Sequence, residues 1–376
     1  MSDAISSFSG NAAKKSSLAP APGTVVQSEK KNLPAERKLG IALVGLGKYS
    51  SGELGPALTK TAYCRLTGVV SGNESKRKEW KAQYNLRDEN LYSYDNFDDI
   101  RSNSDIDIVY VVLPNSMHAE YVIRAAHAGK HVICEKPMAT SVKDCQRMID
   151  ACKEAGVKLS IGYRLHFDPL NQEMMRLGQN KSFGPISQVI TSHGMDVGDK
   201  NQWRLNRELA GGGPLMDVGI YCVQGVMYTV GDLPIAVSAS FHTVTNPEKF
   251  NEVEEGMDWE MEFASGIKAI CKTSYNQPAD QLKAEAAHGW FELQPAYAYR
   301  GLKGTTSEGR MTITAINQQA AQMDDFARCV QNQSETRVPG EMGLRDLQIL
   351  LAIYESARTN RKIDLQLKNF KDLIGI

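Results

Sequence analysis

Two short motifs hold the residues best suited to chemistry. Gly45-Leu46-Gly47-Lys48-Tyr49-Ser50 follows the apolar run 40–44, and Cys134-Glu135-Lys136-Pro137 closes the apolar run 131–134. Gly45 and Gly47 let a backbone turn tightly and approach a pyrophosphate at a helix N-terminus, with Ser50 a small residue in the third glycine place. Such a glycine pattern recurs by chance and is weak alone. A lysine at the end of a parallel strand can bond a substrate hydroxyl, or lower the pKa of a neighbouring acid by its charge. A lysine at a strand end is more often a surface residue, but Glu135 before it and Pro137 after it argue against that. The pair of motifs points to a nicotinamide enzyme with Lys136 at the hydride-transfer site.

A second constellation, Ala210-Gly211-Gly212-Gly213-Pro214-Leu215-Met216-Asp217-Val218-Gly219-Ile220-Tyr221, places Asp217 and Tyr221 on one helical face. A carboxylate and a phenol aimed at a lysine could move a proton; a core helix with a satisfied tyrosine reads equally well. Pro114-Asn115-Ser116-Met117-His118 follows a central apolar strand at its carboxyl end, the ligand edge of such a sheet. Asn115 or Ser116 could bond a cofactor there, whereas His118 reads as the first turn of a helix rather than a catalyst. Where strand two usually ends in an acid that holds the ribose of NAD, the chain reads Val70-Ser71-Gly72-Asn73, with Lys76 and Arg77 a turn later. A hydroxyl and nearby cations suit a 2′-phosphate, so NADP is favoured over NAD, unless those cations merely solvate a helix face. Gln202-Trp203-Arg204-Leu205 and Gly162-Tyr163-Arg164-Leu165-His166 combine an aromatic ring with fixed donors, groups that suit a sugar.

The elements that must position these groups alternate from residue 39 onward. Strands are expected at 40–44, 65–70, 107–113, 131–134 and 158–163, with helices at 56–60, 73–84, 119–128 and 141–155. Continuous apolar strands alternating with helices indicate a parallel sheet covered on both faces. Beyond about residue 162 the rhythm changes. Strands at 186–192, 235–244, 259–263, 268–274, 290–293 and 311–315, a hairpin turn at Ala264-Ser265-Gly266, and helices at 322–330 and 343–359 suggest a largely antiparallel sheet. The expected class is α/β: an N-terminal doubly wound Rossmann sheet (residues 39–162), then an α/β domain with a large open, mainly antiparallel sheet (residues 163–376).

Composition bounds the partners. The chain has 376 residues, 42% hydrophobic and 23% charged, with a formal net charge of −1. Two domains fit that length, and nothing favours nucleic acid or an anionic membrane. No apolar segment approaches a bilayer span. Seven cysteines without metal-like pairing read as small buried hydrophobes in a reducing compartment, and no metal site is expected. Residues 1–38 are rich in Ser, Ala, Pro and Lys, with neither an apolar signal core nor a twin arginine, which gives the expectation of a cytoplasmic protein. By composition this segment reads as a disordered tail.

Beyond these readings, GLGKYSSG, VSGN, LPNSMHAEY, GKHVICEKPMATSVKDCQRMIDA, IGYR, QWRLNRELAGGGPLMDVGIY and PGEMGLRD closely resemble the glucose–fructose oxidoreductase/inositol dehydrogenase family, in its glucose–fructose and aldose–aldose oxidoreductase branch. The resemblance spans roughly residues 39–364. It implies a catalytic lysine at Lys136, and Tyr221 as acid/base where many members carry histidine, with Asp217 beside them. It implies a tightly bound NADP that oxidises one cyclic aldose at C1 to a lactone and is restored by a second, open-chain sugar. The expected cofactor contacts are Gly45, Gly47, Lys48, Tyr49, Ser71, Lys76, Pro114, Asn115, Ser116, His118, Glu135, Lys136, Arg164, Trp203 and Arg204. Lys136, Arg164, Asp217 and Tyr221 are expected to meet the sugar. The resemblance also implies a homo-oligomer, dimer or tetramer, and an N-terminal arm that encloses the cofactor. A conventional NADP-dependent aldose dehydrogenase or sugar reductase with exchangeable cofactor uses the same residues, and an idle NADP-binding sensor is a third possibility.

Overall fold

In the computed structural model, residues 37–367 are described; the expected arm, residues 1–38, lies almost entirely outside them. Six parallel strands form the first sheet: β1 (Leu39–Val44), β2 (Cys64–Val70), β3 (Leu91–Tyr92), β4 (Ile108–Val111), β5 (His131–Cys134) and β6 (Leu159–Ile161), in the order β3-β2-β1-β4-β5-β6. That order reverses beside β1, so the carboxyl ends of β1 and β4 open the crevice where such sheets bind dinucleotides. Strands β1 and β4 are apolar throughout because both faces are covered, and every one of their residues is buried.

The intervening helices are α1 (Gly55–Leu58), α2 (Glu74–Tyr84), α3 (His118–His127) and α4 (Val142–Glu154). Asn73 caps α2, its side chain accepting from Lys76 N at 3.0 Å, and Ser141 caps α4, accepting from Asp144 N at 3.1 Å. Chain then crosses to α5 (Pro169–Gln179), which begins at Asp168 as N-cap with Pro169 in the first turn. The sequence reading missed this helix, although Asp-Pro before a polar-apolar run is its signal.

The second sheet has nine strands: β7 (Ile186–Gly194), β8 (Pro234–Phe241), β9 (Gly256–Phe263), β10 (Lys268–Ser274), β11 (Ala279–Ala286), β12 (Gly289–Leu293), β13 (Gly304–Thr306), β14 (Gly309–Arg310) and β15 (Ile363–Asp364), ordered β14-β13-β12-β11-β7-β10-β9-β8-β15. Every pairing is antiparallel except β7 with β10. The strand expected at 311–315 does not form. Met311 and Ile313 are half-buried and Thr312 and Thr314 exposed, so the alternation sorts burial, but the sheet already ends at β14 and no ladder partner remains. Instead the sheet gains β11, whose charged ADQLKAEA carries little strand propensity and is held between β7 and β12 by pairing.

The remaining helices are α6 (Arg207–Ala210), α7 (Ile220–Val230), α8 (Gln318–Gln331) and α9 (Gly340–Thr359). Helix α8 returns to the first sheet, where Met323 and Phe326 pack in one core with Ile41, Leu43 and Tyr110. Asp324 on the same helix accepts from the backbone N–H groups of Ala62 (2.9 and 2.8 Å to its two oxygens) and Tyr63 (2.8 Å). The two sheets are thereby stitched by chain that sequence order assigns to the second. Among the described residues no helix is long and apolar enough to cross a membrane.

Candidate active site

The glycine turn comes first. Gly45 leaves β1 with φ +97°, and a Cβ there would lie 2.3 Å from Val112 O, so turn and close approach both require glycine. A Cβ on Gly47 would meet nothing within 4 Å, so the protein's own packing does not demand glycine there; the open space suits a ligand's close approach. Ser50 is buried and donates from Oγ to Gly45 O at 2.6 Å, closing the turn where a third glycine often sits. Lys48 is exposed beside it and Tyr49 is half-buried.

Ser71 ends β2 at 6% exposure, and its Oγ accepts from Asn73 N at 3.2 Å. Both nearby cations lean toward this edge: Lys76 Nζ donates to Leu46 O at 3.3 Å, and Arg77 donates to Ser71 O. Pro114 and Asn115 follow β4. The Asn115 side chain donates to Ala210 O at 2.8 Å, which ties this edge to the glycine-rich segment, while Ser116 remains exposed. His118 is fully buried with Nδ1 3.0 Å from Pro137 O and Nε2 2.9 Å from Leu113 O, and burial lowers its pKa. It braces the Lys136 turn from behind, as the first residue of α3.

At the end of β5, Glu135 points into the sheet core. Its Oε1 accepts from Tyr110 OH at 2.7 Å, Tyr110 in turn accepts from Gln322 Nε2 at 2.8 Å, and burial raises the carboxyl's pKa. Gly162 is required beside it, since a Cβ there would lie 2.6 Å from Glu135 Oε1. Lys136 points the other way. Its Nζ lies 3.0 Å from Asp217 Oδ1 and also donates to Asp217 O. Asp217 Oδ2 accepts from Arg204 Nε and from Tyr275 OH, each at 2.9 Å. Burial works against both charges here, but attraction more than offsets it: Asp217, Tyr221 and Glu135 raise the Lys136 pKa, while Lys136 and Arg204 hold Asp217 below the usual carboxylate range.

Tyr221 sits over this pair. Residues 215–219 wind as a π-turn before α7, and the Tyr221 ring ends 4.9 Å from Lys136 Nζ and 5.0 Å from Arg164 Cζ. Two cations thus face one phenol ring. Arg164 is itself fixed by carbonyls, donating to Tyr297 O at 2.5 Å and Ala298 O at 3.3 Å, and to Gln318 Oε1. Trp203 lies further out, its ring 4.7 Å from Arg204 Cζ. Arg204 therefore has its guanidinium on Asp217 and on Trp203.

Three groups at this site escaped the sequence reading. Tyr275 follows β10 and is fully buried against Asp217. His193 near the end of β7 stacks on Tyr297 at 4.9 Å and lies 5.5 Å from the Tyr221 ring; burial, then Arg164 and Lys136, push its pKa down to about 3, and its buried Nδ1 has no hydrogen-bond partner among the described residues. Tyr299 stacks on Tyr49 at 5.6 Å. Each follows or ends a strand or loop of the second sheet without a motif around it.

The residues present fit a dinucleotide: the glycine turn leaves room for a pyrophosphate, and the edge at Ser71 offers a hydroxyl and two cations in place of a carboxylate. Comparison with known proteins agrees. Residues 39–163 match the family described as "Oxidoreductase family, NAD-binding Rossmann fold", and residues 171–296 match "GFO/IDH/MocA C-terminal domain". An aldose-aldose oxidoreductase from Caulobacter crescentus, solved with glycerol, is 42% identical with a TM-score of 0.85, over 88% of this chain and 100% of that one. D-xylose 1-dehydrogenase [NADP(+)] of Haloarcula marismortui is 29% identical over 86% of this chain and 92% of its own. The 1,5-anhydro-D-fructose reductase of Ensifer adhaerens is 25% identical over 72% and 83%.

Proposed function

The chain belongs to the GFO/IDH/MocA oxidoreductase family, and from that footing we propose that it is an NADP-dependent sugar oxidoreductase that oxidises a cyclic aldose at C1 to the lactone and reduces a second, open-chain sugar with the same retained cofactor. One observation carries the chemistry: the Tyr221 ring is flanked by the Lys136 ammonium and the Arg164 guanidinium, at 4.9 and 5.0 Å. Tyr221 is the proton-carrying group packed against both cations, and in this reading it takes the proton of the C1 hydroxyl during oxidation and returns one to the carbonyl oxygen of the second sugar. Lys136 cannot be that base, because Asp217 keeps it protonated; Asp217 cannot, because its two oxygens are spent on Lys136, Arg204 and Tyr275. Asp217 instead fixes Lys136, and Lys136 orients the sugar hydroxyl. NADP, when bound, supplies the hydride acceptor and donor, with Gly45, Gly47, Ser71 and Lys76 as its holders.

The similarity to an aldose-aldose oxidoreductase supports the two-sugar cycle, whereas the similarity to an NADP-dependent xylose dehydrogenase favours a second reading with exchangeable cofactor. An absorbance spectrum of extensively dialysed protein separates them. A nicotinamide band that rises when an aldose is added without cofactor, and decays when a second sugar follows, is the expected result. Cofactor-free protein that reduces added NADP+ over many turnovers would replace the proposal with the conventional dehydrogenase. A homo-oligomer, which the family resemblance implies, is part of the proposal. Size-exclusion chromatography with light scattering tests it, and a monomer at micromolar concentration would refute it.

A further inference from the structure

Between β12 and β13 the chain makes a loop, residues 296–302, with a buried root and an exposed tip. At the root, Ala296 N and Tyr297 N each donate to Asp280 Oδ1 at 2.7 Å, Arg164 donates to the Tyr297 and Ala298 carbonyls, and Tyr297 is 1% exposed. The tip reaches the other sheet. Tyr299 stacks on Tyr49 of the glycine turn with ring planes 30° apart, and Arg300 NH2 lies 2.9 Å from Oε2 of Glu53, one turn further along the same segment. The Arg164 guanidinium lies 4.5 Å from the Tyr299 ring, so the tip sits between the glycine turn and the Lys136 set.

We propose that Tyr299 and Arg300 are cofactor-retaining residues: they form a strap from the second sheet, closed on the glycine turn across the path of the dinucleotide, and opening of this strap sets how fast cofactor leaves. The inference rests on the reading that NADP binds at the glycine turn. Its energetics suit a gate. An aromatic pair and one ion pair with Arg300 72% exposed are modest contacts, while the root is held by buried hydrogen bonds, so the tip can lift without the root unfolding.

The test follows release of NADPH by the loss of its fluorescence when loaded protein is mixed with excess NADP+. Tyr299→Ala should speed release about three- to tenfold, the range of one aromatic pair. Arg300→Glu should speed it about threefold at low salt, and the charge-swapped double variant Glu53→Arg/Arg300→Glu should restore the slow rate. Unchanged release from Tyr299→Ala, in a protein with wild-type thermal unfolding, would overturn the strap. Failure of the double variant to restore the rate would overturn the role of Arg300. The strap is judged on the ratio of variant to wild type. Wild-type release faster than turnover would refute retention under the two-sugar reading while leaving that ratio intact, and failure to load NADPH would overturn both.

Discussion

The ammonium of Lys136 stands over the face of the Tyr221 ring, 4.9 Å from its centroid, while its hydrogen bonds go to Asp217. Attachment and contact are thereby separated: Asp217 holds the lysine, and the ammonium rests on the phenol ring.

Lys136→Ala removes that charge, and Tyr221→Phe removes the proposed proton carrier. Each should cut turnover by about 10²-fold or more, the usual range for general acid–base groups. Steady-state rates with an aldose and NADP+ measure it; near wild-type turnover in both variants would sink the assignment.

Asp217→Asn leaves Lys136 and Arg204 facing one another without the carboxylate between them. Turnover should fall, and stability should fall by about 3 kcal/mol, the scale of a broken buried pair. Tyr275→Phe removes only one of three donors and should cost about 1 kcal/mol. Urea unfolding of both variants gives the comparison, and equal losses would mean that the charges are not the dominant contribution.

Ser71→Asp puts a carboxylate where a 2′-phosphate would sit, beside Lys76 and Arg77. The KM for NADP+ should rise about tenfold or more, with a smaller change for NAD+. Parallel kinetics with the two cofactors decide it; equal changes would remove Ser71 from the specificity argument.

Stability should fall in mild acid through His166. Burial pushes its pKa down to about 4, and it is held neutral against Gln224 Oε1 at 2.6 Å. The unfolded chain takes up that proton at about pH 6.5 and the folded one does not, so the contribution is fully present above that pH. Between about pH 6.5 and 4 stability should drop by about 1.4 kcal/mol per pH unit from this residue. Urea midpoints for wild type and His166→Gln across that window test it: the variant's slope should be shallower by one proton, and parallel curves would refute it.

Much of this protein was legible without its structure. The first sheet could be read because parallel strands covered on both faces must be apolar throughout, and 40–44 and 108–113 are. Lys136 and Asp217 could be named because a strand end and a glycine-rich helix start carry local signals. What sequence could not supply was which distant groups share one carboxylate or one ring. Tyr275 reaches Asp217 from the end of β10 with no motif around it, and Arg164, named from its cluster, reaches Tyr221 from the end of β6; each contact exists only once two sheets face each other. Strand β11 was missed and 311–315 wrongly expected for the same reason. Pairing needs a neighbour, and whether an edge is open or closed is a property of the whole sheet rather than of any seven residues in it.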